Sequence, residues 1–135
     1  MLACAAIATV PFGSFSAEAH SKTFKSQITI QYNAGSRKFS GRVTSASKLC
    51  RAGRSVTVFA EVSGHSEKPV GHDTTDSDGT WGPVSSPGPG FYFAQVKQAP
   101  AGGYGIQSIC SAAESRTIHV RPRHPHGDAV DASQP

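Results

Sequence analysis

From Gln27 onward, apolar and polar residues alternate with a period of two, the pattern of strands that bury one face. Ile28, Ile30 and Tyr32 share a face in the first run, and Phe39, Gly41 and Val43 in the second. The strongest run is Arg54–Val62, with Val56, Val58, Ala60 and Val62 inward and Thr57, Phe59 and Glu61 opposite. Phe91–Lys97 is the next clearest, with Tyr92, Ala94 and Val96 inward and Phe91 and Phe93 on the other face. Shorter extended segments fall at Pro69–Thr75, Thr80–Val84, Gln107–Cys110 and Ser115–Val120, and Pro69 marks an edge because it cannot donate to a ladder. Turn chemistry separates them at Asn33–Ser36, Gly64–Glu67, Asp76–Gly79, Ser85–Gly90 and Ala112–Glu114. Ser45–Gly53 crosses between strands, His20–Ser26 reads as a polar, mobile lead-in, and Ala99–Gly105 as a flexible loop. No segment keeps helical period. The pattern predicts an all-β fold, an antiparallel two-sheet sandwich of about seven to eight strands, prealbumin-like or immunoglobulin-like.

The ends read differently. Leu2–Val10 is an unbroken run of apolar or small residues, interrupted by Pro11 and Gly13 and followed by Ala17-Glu18-Ala19. That is the order of a signal peptide with cleavage after Ala19, although Met1 leads into the run with no basic residue before it. The alternative is a buried N-terminal element. The run is too short to cross a bilayer as a helix, so no stable membrane span is expected. The expected organisation is a signal peptide over 1–19, a sandwich over 27–121 and a disordered, Pro-rich tail over 122–135.

Cysteine arithmetic agrees with export. Of the three cysteines, cleavage removes Cys4 and leaves Cys50 and Cys110, which makes one even pair. A bridge between them closes about 60 residues and contributes roughly 4 kcal/mol in the loop-entropy model. Two buried free thiols are the alternative. The expected localisation is secreted, and the expected state a monomer.

Charged residues make up 16% of the chain, below the roughly 25% usual for soluble domains, and the formal net charge is +4. The basic residues Arg37, Lys38, Arg42, Lys48, Arg51 and Arg54 are spread over several strands and turns. Nucleic-acid modules concentrate such residues on one element or interleave them with aromatics. Scattered, solvated charge and no nucleic-acid partner are therefore expected.

Four segments in order carry a resemblance: Phe39-Ser40-Gly41-Arg42-Val43, Arg54-Ser55-Val56-Thr57-Val58, Gly71 through Thr74-Thr75-Asp76 and Gly79 to Trp81, and Gly90-Phe91-Tyr92-Phe93-Ala94-Gln95-Val96. Together they resemble the transthyretin-like sandwich of carboxypeptidase regulatory-like domains and related extracellular modules, over about residues 38–120. The resemblance implies a spacing, stability or adhesion element and brings no catalytic residue. The chain departs from the pattern at Lys48–Gly53, where a Pro-containing approach to the second core strand is usual. Physically, Asp76 can accept backbone N–H groups, Gly79 can take positive φ, and Trp81 can then enter the core.

Candidate chemistry is sparse. Asp73, Asp76 and Asp78 suggest calcium, but a loop aligned on Gly79 puts Thr74 and Ser85 at its ends, so a plain turn is expected. His119, His124 and His126 include a His-x-His pair, yet it falls in the expected tail; His65 and His72 read as surface residues. There is no nucleophile elbow, and Glu61 is the only acid inside a strong strand. Gly102-Gly103-Tyr104-Gly105 lacks the lysine and helix of a phosphate loop. No catalytic residue, metal site or cofactor is expected. Trp81, Phe91, Phe93 and Tyr104 are the candidate ligand-binding aromatics. The leading expectation is a secreted non-catalytic structural or interaction module, its partner an extracellular protein or polysaccharide. The alternative is a module that holds carbohydrate or cell-envelope polymer on those aromatics.

Overall fold

The computed structural model describes residues 21–64, 66–102 and 108–123. The expected signal segment, His65, Tyr104, and the stretch from 124 onward lie outside the described residues.

Two sheets face each other. In the first, β4 (Lys38–Ser45) is flanked by β7 (Thr80–Ser85) on one side; on the other, β2 (Ser26–Ile28) and β3 (Gln31–Asn33) lie end to end. In the second, β5 (Ser55–Val62) pairs with β6 (Ser66–Thr74) and with β8 (Gly90–Val96). The far side of β8 carries β11 (Ala113–Glu114) and β12 (Ile118–Val120). Every pairing within these two sheets is antiparallel.

Both interruptions are bridged by a hydroxyl residue. Thr29 N–H donates to the Arg42 carbonyl at 3.0 Å and the Arg42 N–H to Thr29 Oγ1 at 3.1 Å, joining β2 to β3. Ser115 does the same between β11 and β12: its N–H donates to the Ala94 carbonyl and its Oγ accepts from Ala94 N–H, each at 2.8 Å. Counted through these bridges, seven strands among the described residues form the sandwich. At the β7–β8 corner, the Tyr92 hydroxyl donates to the Gly88 carbonyl at 2.7 Å. A tyrosine near the start of a strand, bonded back to the backbone a few residues upstream, has the form of the tyrosine corner described for immunoglobulin-like sandwiches.

The inward sets close the core. Ile28, Ile30, Phe39, Val43, Val56, Val58, Trp81, Val84, Tyr92, Ala94, Val96 and Val120 form one cluster. Val62 departs from the expected alternation and is 46% exposed. The pairing of β5 with β8 stops at Glu61, so Val62 extends beyond its neighbour strand toward the hairpin.

Two glycines are required by the backbone. A Cβ on Gly41 would lie 1.9 Å from the Thr29 carbonyl oxygen and 2.8 Å from the Trp81 ring, at a register shift in β4. Gly79 has a φ of +92°, and a Cβ there would lie 2.2 Å from the Val43 carbonyl oxygen. The turn from Asp76 to Gly79 therefore packs its backbone directly on the first sheet.

A small third sheet stands at one end of the sandwich. There β10 (Ser108–Cys110) pairs in parallel with β1 (Lys22–Phe24) and antiparallel with β9 (Ala99–Ala101). This corrects two expectations, the mobile lead-in and the flexible loop, since each supplies a strand. The Cys50–Cys110 disulfide, Cα–Cα 5.3 Å, ties the 3₁₀ turn Lys48–Cys50 to β10, and both cysteines are fully buried. Phe24 and Ala101 pack on it.

Arg54 corrects the reading of scattered solvated charge. It is 2% exposed, and its guanidinium donates to the carbonyls of Cys50, Lys97 and Ser111 and to Ser26 Oγ at 2.7–3.0 Å. The side chain thus joins the start of β2, the disulfide turn, and the segments after β8 and β10. Burial pulls its pKa down from the ordinary arginine value.

Candidate interaction surface

The outer face of the second sheet collects the side chains out of phase with the core. Thr57, Phe59 and Glu61 come from β5, Phe91, Phe93 and Gln95 from β8, and His119 from β12. Register sets their neighbours: Phe91 lies between Glu61 and His119, and Phe93 opposite Phe59. The Phe91 and His119 rings stack with centroids 4.4 Å apart and planes at 10°. Phe59 and Phe93 stack at 5.4 Å and 17°. The Phe59–Phe93 separation lies within the roughly 4.5–7 Å at which aromatic pairs attract, and the Phe91–His119 separation is at its short edge. Beside them the Thr117 hydroxyl donates to the Glu61 carboxylate at 2.9 Å. An open trough of about 700 Å³ continues along β5 and β6, lined by Thr57, Phe59, Pro69, His72 and Lys97 among others.

The four candidate aromatics do not form one exposed patch. Trp81 is 1% exposed and belongs to the core, and Phe93 is 2% exposed although it points away from that core. Phe91 is 49% exposed. Tyr104 lies outside the described residues. His119 was a metal candidate by sequence, but its ring is stacked on Phe91, while His124 and His126 lie outside the described residues. Among the described residues, no three His, Cys, Asp or Glu side chains converge as a metal site would need.

The acidic turn spends its carboxylate oxygens on backbone N–H groups. Asp76 Oδ1 accepts from Asp78 and Thr80 N–H, Asp78 Oδ1 from Thr80 N–H, and Asp73 Oδ2 from Gly82 N–H at 2.6 Å. Asp78 Oδ2 also lies 3.6 Å from the Arg42 guanidinium. The hydrogen bond with the Asp76 carboxyl, then those with the Thr80 side chain and N–H, and last the charge of Arg42, hold the Asp78 carboxyl at a pKa of about 2. This is below the roughly 3.9 of an unfolded Asp, so the turn's contribution to stability is fully present above about pH 4 and is lost as pH falls toward 2. An NMR titration should find the Asp78 carboxyl titrating at about pH 2, and Asp78→Asn should abolish that part of the acid dependence. Calcium is expected to add nothing here. The thermal midpoint should be the same in millimolar calcium and in excess chelator, and a drop of several degrees on chelation, abolished by Asp78→Ala, would make the turn a metal site.

Two features of this surface escape a reading by strand alternation alone: the pairing of His119 with Phe91, which needs the β8–β12 register, and the burial of Phe93. No helix among the described residues is long and apolar enough to cross a membrane. No protein-family model matches the chain, and no curated protein sequence does.

Proposed function

We propose that the chain is a secreted, non-catalytic interaction module of transthyretin-like type, and that its contact surface is the outer face of the second sheet. The observation that carries this reading is the half-exposed Phe91 ring on the outer sheet face, stacked on His119 and with Glu61 on its other side. A large apolar ring held rigidly by a neighbour loses little side-chain entropy on contact, which suits an interface anchor. A buried disulfide accords with an oxidising compartment, and the apolar run over 2–10 with the following Ala-x-Ala accords with export. The partner class is an extracellular protein or a polysaccharide. Of the candidate aromatics among the described residues, the carbohydrate reading keeps one exposed platform, Phe91, with Trp81 and Phe93 buried, and is the weaker of the two.

The test is photo-crosslinking in the culture that exports the protein. With p-benzoylphenylalanine in place of Phe91, irradiation should give a discrete adduct, whose mass and protease sensitivity tell protein from glycan. The same photo-residue in place of the exposed Ala52, in the turn before β5, should give none. Equal labelling at both positions would reject the surface. Export is tested separately: the N-terminus of protein in the medium should be His20.

A further inference from the structure

At the end of the sandwich away from the disulfide, a pocket of about 210 Å³ is lined by Tyr32, Arg37, Gly88, Pro89, Val120, Arg121 and Arg123. Three guanidinium-bearing residues meet here from two distant stretches of sequence, and no acidic residue lines the pocket. The one ion pair among the described residues is Arg42–Asp78, so none of the three is matched to a carboxylate there.

The walls are built. Tyr32 packs its ring on Phe39 with centroids 5.4 Å apart, and the Tyr92 hydroxyl pins the loop that holds Gly88 and Pro89. Arg123 donates to the Ala34 carbonyl. Arg37 is the most telling member. Its φ is 57°, and it is the only non-glycine residue at positive φ among the described residues. Its N–H donates to the Asn33 carbonyl at 2.8 Å and its carbonyl accepts from Ser86 N–H at 3.0 Å, so the backbone is clamped in the left-handed region. A side chain with a Cβ costs free energy there that glycine would avoid. Such outliers point toward a role beyond the fold.

We propose that this pocket is an oxyanion site for a phosphate monoester on a small body. Guanidinium forks match tetrahedral oxyanions, and three positive groups suit a ligand of charge near −2 with three acceptor oxygens better than a single carboxylate. The volume is below the roughly 300–1,000 Å³ of sites for drug-sized ligands, so it fits one charged group and little more. Tyr32, Pro89 and Val120 offer the apolar wall for that body.

The experiment is an NMR titration of the full chain with sn-glycerol 3-phosphate, inorganic phosphate, sulfate and acetate at constant ionic strength. Shifts should saturate at the amides of Tyr32, Gly88 and Val120, with glycerol phosphate tightest, sulfate and inorganic phosphate weaker, and acetate weakest. Arg121→Gln should weaken glycerol phosphate about tenfold or more, as expected for one lost charge-assisted contact, and Arg116→Gln, outside the pocket, should not. Arg37→Gly separates binding from folding. It should weaken the ligand by a similar factor while leaving the thermal midpoint at or above that of the parent protein. Non-saturating shifts, shifts spread over all basic residues, or unchanged affinity in Arg121→Gln would overturn the proposal. So would an Arg37→Gly variant that binds normally, since Arg37 would then serve only the turn.

Discussion

Trp81→Ala should lower the free energy of unfolding by about 3–5 kcal/mol, the usual cost of emptying a large aromatic site. Trp81 is 1% exposed and is the largest fully buried side chain. It fills the space over Gly41, where any side chain on that glycine would strike the ring or the Thr29 backbone. Neither residue can compensate for loss of the other by a simple shift, so the cavity should persist. Trp81→Phe should cost far less. The indole Nε1 has no hydrogen-bond partner, and phenylalanine removes that buried donor along with the lost volume. Denaturant unfolding of both variants checks the pair. A Trp81→Ala loss below about 1 kcal/mol would show that the ring does not fill the core as the structure has it.

Loss of the disulfide should have an effect of similar size. Cys50 and Cys110 are 60 residues apart in sequence. In the loop-entropy model, opening such a ring destabilises by roughly 4 kcal/mol, chiefly through the unfolded chain. Mass spectrometry of the native protein should find neither Cys50 nor Cys110 alkylatable, and Cys50→Ala/Cys110→Ala should keep the sandwich at reduced stability. Two free thiols in the native protein would refute the bridge. Arg54→Met in the oxidised protein should cost about 2–3 kcal/mol, because the carbonyls of Cys50, Lys97 and Ser111 lose a shared donor while buried. The guanidinium is bonded to the carbonyl of Cys50 itself, so opening the bridge also loosens the turn that Arg54 holds. The double variant is therefore expected to lose less than the sum of the two separate losses if the arginine is ordered mainly by the bridge.

Strand alternation located the inner face of each long strand because burial there follows directly from period-two geometry. Val56, Val58, Tyr92, Ala94 and Val96 are buried as the pattern requires, and Trp81 enters the core behind the Asp76–Gly79 turn. Arg54 shows how a correct pattern can be stopped too soon. It is in phase with Val56 and Val58, so the alternation continued one step toward the N-terminus would have placed it inside. Its charge argued for solvent, and only the convergence of three carbonyls from separate segments makes burial affordable. Phe93 is the opposite case: its phase points outward, yet it is buried against the face where Phe59 stacks on it.

By itself, then, the sequence determined what depends on neighbours along the chain or on simple counting: strand faces, the positive φ of Gly79 and the even cysteine pair. The tertiary structure alone decided what depends on register and on distant segments meeting. It stacked His119 on Phe91 through the β8–β12 register, made strands of Lys22–Phe24 and Ala99–Ala101 by pairing both with β10, and gathered Arg37, Arg121 and Arg123 beside Tyr32. Local patterns record which way a side chain points. They carry no information on which distant side chain will be opposite it, because that is set by the pairing of strands far apart in the chain.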